Sequence, residues 1–318
     1  MESSSLVSVV LPTYNGVRYL GESLDSCLGQ SYTNIEVVVV VDGSTDSTME
    51  LLEGYTDPRL TVLRNHTNLG LPRSLNRGFA HSTGSFLTWT SDDNRYVSSA
   101  IGSMVAYLDS HAEADLVYAS YWEIDPEGRH LDTVIAPEPS ALMDYDVVGA
   151  CFLYRRCVYD ALGGYSPEHA MYEDYEYWLR ASRRFAFGVM AEPLYEYRLH
   201  PASLSSRRGL RHARDRRVLQ LKLANYGLPP GTYSRKMAAL DMDEAYEAFV
   251  LYADRRRSWH RYLRSVSRFP AGLANLGMLR LMATSLLPGW RRRQSALQNE
   301  WSIRHPSKAR WLLGIDGA

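Results

Sequence analysis

Two neighbouring carboxylates, Asp92 and Asp93, stand at the end of the apolar run Phe86-Leu87-Thr88-Trp89-Thr90, and Asn94 follows them. Side chains alternate along extended backbone, so two neighbours on a regular strand face opposite ways. Both acids can serve one site only if the chain turns there, and Asn94 favours a turn. Carboxylate oxygens are hard ligands that suit Mg²⁺ or Mn²⁺, and such an ion can also hold substrate phosphates. A polar turn capping the next helix accounts for an isolated Asp-Asp-Asn just as simply. Asp42 is a third acid at the end of an apolar run, Ile35–Val41, where it can accept hydrogen bonds or cap the helix after Gly43-Ser44. Glu173 and Asp174 open a helical stretch to Arg184. Acids there complement the helix dipole, and a carboxylate there can also take a proton.

These acids need elements to position them. Leu6–Pro12 is an apolar, β-branched run ended by proline and reads as a buried strand. A helix is expected over Arg18–Gln30, with Leu20, Leu24, Cys27 and Leu28 on one face. Ile35–Val41 lacks alternation, as expected of a parallel strand covered on both sides. A short helix to Glu53, a strand at Leu60–Leu63 and a helix at Leu71–His81 follow. The pattern ends with a strand at Ser85–Thr90, a helix at Ser98–Ser110 and a strand at Asp115–Tyr121. Strand–helix alternation predicts a doubly wound α/β sheet, whose ligands bind beyond the carboxyl ends of the strands. Asp42, Asp92, Asp93 and Thr13-Tyr14-Asn15 all fall there. From Glu123 the rhythm gives way to loops rich in proline, glycine and acid. From Arg207 the chain reads as mainly helical and basic.

Composition bounds the reading further. Hydrophobic residues make up 45% of the 318, enough for a large core in one large domain or two smaller ones. Three cysteines without close spacing suggest reduced thiols. The acidic, polar start Met1-Glu2-Ser3 predicts no secretion signal. The net charge of −1 hides an asymmetry. Residues 1–206 carry 13 Lys and Arg against 28 Asp and Glu, about −15, and the remainder carries about +14. A basic appendix on an acidic body points to an anionic surface as partner or to contact between the two parts.

Val9-Val10-Leu11-Pro12-Thr13-Tyr14-Asn15, then Gln30-Ser31-Tyr32, then Glu36 to Asp42-Gly43-Ser44-Thr45-Asp46-Ser47-Thr48 resembles family-2 glycosyltransferases of the GT-A fold over about residues 6–205. Val41 stands where many members have the first aspartate of Asp-Asp-Gly-Ser. Ser91-Asp92-Asp93-Asn94 replaces the commoner Asp-x-Asp, and a spore-coat polysaccharide glycosyltransferase has a similar run. The resemblance implies an α/β, Rossmann-like nucleotide-diphospho-sugar transferase sandwich with a mainly helical C-terminal extension. Residues 1–206 would be catalytic, the nucleotide held by about 1–121 and the acceptor by about 122–206. Residues 207–318 would form the basic region.

The site roles follow from the same resemblance. Asp42 would read uracil or another base, with Pro12, Thr13, Tyr14 and Asn15 lining the pocket and Tyr14 available for stacking. Asp92 would face ribose or metal, and Asp93 would ligate Mn²⁺ or Mg²⁺ on the diphosphate. Arg73, in Asn68-Leu69-Gly70-Leu71-Pro72-Arg73, would meet the nucleotide or diphosphate, or serve as a surface ion-pair residue. Asp174 would be the base in an inverting transfer, ahead of Glu173. Tyr175 and Trp178 would offer apolar faces to an acceptor sugar or belong to the core. Arg198 and His200, in Tyr197-Arg198-Leu199-His200, would neutralise the leaving nucleoside diphosphate, His200 completing the metal site.

The expected function is transfer from a nucleotide-sugar, UDP-linked, to a glycan or lipid-linked saccharide in cell-surface polysaccharide synthesis. The expected setting is cytoplasmic, peripheral on the inner membrane face. A sugar nucleotidyltransferase would share the sheet, the nucleotide pocket and the paired acids. It would usually carry a glycine-rich phosphate loop with basic residues, which Pro12-Thr13-Tyr14-Asn15-Gly16 lacks. A catalytically inactive nucleotide- or glycan-binding subunit is the other alternative. Nucleic acid is not an expected partner, since no recognition module is visible and residues 1–206 would repel phosphate. Phe269–Trp290 is apolar around Arg280 and flanked by arginines at 264, 268 and 291–293. The segment 264–293 is therefore expected to lie on an anionic membrane surface, to pack on the catalytic domain, or to join a homo-oligomer.

Overall fold

The computed structural model describes residues 5–203, 208–250 and 254–268. The chain divides into two units, residues 1–199 and 200–318. The first carries a nine-stranded mixed sheet. Strands β1 (Val7–Thr13), β2 (Ile35–Asp42), β3 (Leu60–Asn65) and β4 (Phe86–Trp89) pair in parallel in the order β3-β2-β1-β4. Helices α1 (Leu20–Leu28), α2 (Thr48–Glu53) and α3 (Leu71–His81) connect them. The uninterrupted apolar run of β2 has the expected cause: Val37 to Val41 are each at most 1% exposed. Burying a valine is worth ~1.5–3 kcal/mol over leaving it in water, so both faces of this strand must be covered. On α3, Gly78 lies against Val10, where an added Cβ would stand 2.3 Å from a methyl carbon.

Beyond β4 the sheet becomes mixed. Strand β5 (Arg95–Tyr96) leads to α4 (Ala100–Ser110) and β6 (Leu116–Ile124). The loops expected after Glu123 contain a hairpin strand, β7 (His130–Val134), antiparallel to the far half of β6. It is short and mostly exposed, and its two apolar residues, Leu131 and Val134, are too few to mark it in the sequence. Strand β8 (Phe152–Arg155) runs antiparallel between β4 and the near half of β6. After α5 (Arg156–Leu162) and α6 (Glu173–Ala181) comes β9 (Phe187–Arg198), parallel to β6 and antiparallel to β5.

Strands β4 and β5 are consecutive in sequence yet four places apart in the sheet order. Four inter-strand steps span ~19 Å in a flat sheet, and the few residues between these strands include a turn. The sheet must therefore curl so that its later strands come back to β4. Two hydroxyl pairs record that closure: Thr88 Oγ1 with Tyr96 Oη at 3.0 Å and Thr90 Oγ1 with Tyr195 Oη at 2.6 Å.

The cysteines are all free. Cys27 and Cys151 are buried in the sheet core and Cys157 is exposed on α5.

The second unit contains α7 (Arg208–Asn225), α8 (Pro230–Val250) and α9 (Arg255–Arg268). Asp241 and Glu244 of α8 are buried and gather Arg216, Arg257, Arg261 and Arg268 around them. Ser258 and Ser265 of α9 donate to the Ala245 and Ala238 carbonyls of α8, which keeps the helices close. The apolar segment Phe269–Trp290 lies outside the described residues. No helix among the described residues is long and apolar enough to cross a membrane.

Candidate active site

The Asp92-Asp93 turn is built from three directions. From β1, the Thr13 hydroxyl donates to Asp92 Oδ2 at 2.5 Å, and the Tyr14 N–H also reaches this carboxyl. From α1, Ser23 Oγ donates to the Ser91 carbonyl at 2.8 Å. From the end of β9, Arg198 Nε donates to the Asp93 carbonyl at 2.9 Å, and the Arg198 N–H donates to Asn94 Oδ1 at 2.8 Å. Both acids stay half-buried on this support. Desolvation and the Asp93 charge push the Asp92 carboxyl up to about 7, against the two hydrogen bonds that favour its ionised form. Gly16 closes the arrangement: a Cβ there would stand 2.0 Å from Asp92 Oδ2 and 2.5 Å from Thr13 Oγ1.

The loops after β1 and β2 brace each other. Asn15 adopts a positive φ of 54°. Its N–H donates to Ser44 Oγ at 3.0 Å, and its Oδ1 accepts from the Thr45 N–H at 2.8 Å. Tyr14 projects between these loops with 51% of its surface exposed, so its ring is open to a stacking partner. Pro12 and Thr13 are buried beneath it.

Asp42 is placed differently from the expectation. It is 4% exposed and accepts from Asn65 Nδ2 (2.7 Å) and from the Leu69 and Gly70 N–H groups (2.9 Å each). These bonds make it the anchor of the 68–70 loop, a role its position after a valine run does not reveal. Gly70 has φ 85°, a conformation that glycine adopts without strain. Arg73 is exposed one turn into α3 and folds back towards the Leu69 carbonyl.

Arg198 is a correction. The sequence casts it as a cation for the leaving group, yet it is 1% exposed and its guanidinium is spent inside the protein. Besides the Asp93 carbonyl it donates to the Pro126 carbonyl at 2.9 Å and to Glu22 Oε2 at 2.7 Å. It also stacks 4.5 Å from the Tyr19 ring centroid. A planar fork with five donors can satisfy several carbonyls at once, which explains why an arginine is tolerated there. Glu22 and Tyr19 carry no signal in the sequence for this role. His200 is largely buried and opens the second unit.

Asp174 is half-buried at the start of α6, while Glu173 is 5% exposed. Burial and the Asp174 charge push Glu173 up to about 7, and its Oε2 lacks a hydrogen-bond partner. Tyr165 stacks on Tyr177 of α6 with ring centroids 4.4 Å apart, and its Oη accepts from Trp89 Nε1 at 3.1 Å. Helix α6 thus lies behind the β4 end that carries the acidic turn. The other two acceptor candidates are core residues. Trp178 is fully buried against Phe152, and Tyr175 is 7% exposed with its hydroxyl on the Leu142 carbonyl. Neither offers a face to a sugar.

Comparison with known proteins decides the family. A sequence model of glycosyl transferase family 2 matches residues 8–173. EpsE of Bacillus subtilis, named as a glycosyltransferase, is 30% identical over 230 residues, 69% of this chain and 82% of its own. The chain belongs to glycosyl transferase family 2. A glycosyltransferase of Haemophilus influenzae is 31% identical over 226 residues, 65% of this chain and 69% of its own. Among solved structures, TarS of S. aureus in complex with UDP-GlcNAc superposes with a TM-score of 0.61 at 19% identity, covering 94% of this chain and 92% of that one. The mannosyltransferase PcManGT of Pyrobaculum calidifontis, in complex with GDP-Man and Mn²⁺, gives 0.56 at 19%, covering 93% and 87%. These likenesses establish the GT-A fold of this family-2 enzyme.

The acidic turn fits a divalent cation. Two adjacent half-buried carboxylates, one held up by the other's charge, gain from a cation between them and a phosphate. Among the described residues no group of three or more His, Cys, Asp or Glu forms a cage. An ion bound by one or two carboxylates plus substrate phosphates asks for no more than this pair.

Proposed function

We propose that this glycosyltransferase moves a sugar, with inversion, from a UDP-linked donor to a hydroxyl of a glycan or lipid-linked saccharide of the cell surface. The observation that carries the reading is the Asp92-Asp93 turn, fastened to the Thr13-Tyr14 strand end and clamped from behind by Arg198. Asp93, with Asp92, would hold Mn²⁺ or Mg²⁺, which when bound neutralises the diphosphate. Tyr14 stacks on the base. Asp42 acts mainly by fixing the loop at 68–70 that walls the nucleotide.

Asp174 accepts the proton of the acceptor hydroxyl as its oxygen attacks the anomeric carbon. The bond from that carbon to the diphosphate oxygen breaks, and the nucleoside diphosphate leaves with the electron pair. An α-linked product from an α-linked donor would exclude this single displacement. Arg73, exposed at the head of α3, meets the diphosphate in the same reading.

Calorimetric titration of UDP, GDP, dTDP and CMP, with and without Mn²⁺, tests the donor side. One nucleoside diphosphate should bind only with metal, and Asp93→Asn should abolish that binding. Binding of none of them would return the acids to a structural turn. The segment 264–293 is proposed to rest on anionic lipid. Co-sedimentation with phosphatidylglycerol vesicles at low salt is expected, with release at about 0.5 M salt, where the Debye length is only a few ångström.

A further inference from the structure

With Tyr175 and Trp178 buried, the acceptor side of the site needs another surface, and the segment 135–150 supplies one. It leaves β7 at Val134 and enters β8 at Phe152, bordering β6. It is pinned along its length. The Ala136 N–H donates to Ser120 Oγ at 2.9 Å, and Tyr118 Oη donates to the Pro137 carbonyl. Tyr175 Oη donates to the Leu142 carbonyl at 2.6 Å, and Leu142 is 3% exposed. Val147 and Val148 are buried at 3% and 1%. Gly149, at φ 64°, turns the chain beside the Tyr121 ring towards β8.

Between these anchors the chain pushes side chains outward. Met143 is 37% exposed and Tyr145 is 52% exposed. An aromatic ring held open on a segment fixed at both ends is a preorganised platform, because little entropy is lost when a partner settles on it. The platform is tied to the chemistry by one residue. Tyr175, whose hydroxyl holds Leu142, directly follows Asp174 on α6.

Charge selects the partner. Residues 122–148 contain seven acids and one arginine. Asp144 and Asp146 flank Tyr145 directly, and burial, with the Glu138 and Asp146 charges adding to it, raises the Tyr118 phenol. A phosphorylated or carboxylated sugar would be repelled there. A neutral or amino sugar would instead offer its apolar ring face to the tyrosine and its hydroxyls to the carboxylates.

We propose that Tyr145 is the acceptor platform of this enzyme and that the acceptor residue stacked on it is an uncharged or amino pyranose rather than an anionic one. This rests on the glycosyltransferase reading of the Asp93 and Asp174 site. Tyr145 acts by binding the acceptor next to the base, and the acidic rim sets specificity.

The test is saturation-transfer NMR of three probes, methyl β-glucoside, methyl β-N-acetylglucosaminide and methyl β-glucuronide, with the full chain and Mg²⁺ and the nucleoside diphosphate that binds it. At least one neutral glycoside should receive saturation and the glucuronide none at low salt. Tyr145→Ala should weaken the neutral glycoside about three- to tenfold, and Tyr145→Phe should retain it. Nucleotide titration of each variant reports on the fold, and Tyr145→Ala should titrate as the parent does. Equal or better binding of the glucuronide, no glycoside bound, or an unchanged signal in Tyr145→Ala would each overturn the proposal. A parent chain that binds no nucleotide would overturn the donor reading instead.

Discussion

Gly16 shows how one missing side chain sets the site. It lies against the hydrogen-bonded Thr13 Oγ1 and Asp92 Oδ2, and a Cβ there would come within 2.0 Å of the carboxyl. In Gly16→Ala the methyl group must displace the carboxyl, and the Thr13–Asp92 hydrogen bond goes with it. A hydrogen bond to a charged group is worth ~1.5–3 kcal/mol, so metal-dependent nucleotide affinity should fall about tenfold or more by calorimetry. Glu173 offers a different residue-scale test. Its carboxyl is pushed up to about 7 in the folded chain, against about 4.3 unfolded. Between those values the native state binds more protons than the unfolded state, so stability falls as pH rises from about 4 to about 7. Glu173→Gln removes that fall. Its melting temperature should drop less between pH 5 and pH 8 than that of the parent, and an equal drop would show that Glu173 does not titrate there.

At the scale of elements, the last residue of β9 fixes the turn between β4 and β5. Arg198→Met keeps much of the bulk but leaves the Asp93 and Pro126 carbonyls without this donor, while Glu22 keeps Arg95. With Glu22 partly in water, the cost is about 2–4 kcal/mol. Denaturant unfolding measures that loss, and nucleotide affinity in the folded fraction should also fall because the Asp93 carbonyl is released. The parallel half of the fold was legible because its strands are continuous apolar runs and its helices show one apolar face; α3 begins at Leu71 and ends at His81, as its pattern indicates. The hairpin β6–β7 was not, since β7 is short, mostly exposed and mixes two apolar residues with three polar ones. The turn at Asp92-Asp93 and the helix start at Glu173-Asp174 lie where their residue types indicate. Arg198 and Asp42 each hold neighbouring loops, which their sequence positions do not reveal. A charge at a strand end looks the same in sequence whether it faces substrate or ties down a neighbouring loop, and only their burial tells these apart. Tyr145 lay in the stretch where the strand–helix rhythm was lost, so nothing singled it out among many tyrosines.

At the scale of the whole molecule, the two units rest on different physics. The first buries a valine-rich sheet, whereas the second buries Asp241 and Glu244 among four arginines. Asp241→Asn should destabilise the helical unit by about 3 kcal/mol, the low end for a broken buried pair because its arginines keep some solvent. Loss of helical circular dichroism at lower urea concentration would register it, and an unchanged midpoint would mean Glu244 alone suffices. The thiols divide between inside and outside in a way that gives the first unit its own reporter. Burial pushes Cys27 up to about 12 and Cys151 higher still, while Cys157 is exposed on α5. In native protein an alkylating reagent should therefore add one mass increment, and the second and third should appear only as the sheet opens. All three cysteines precede residue 200, so the increments time the opening of the sheet unit and are silent about the helices, a clock that starts in one half of the chain alone.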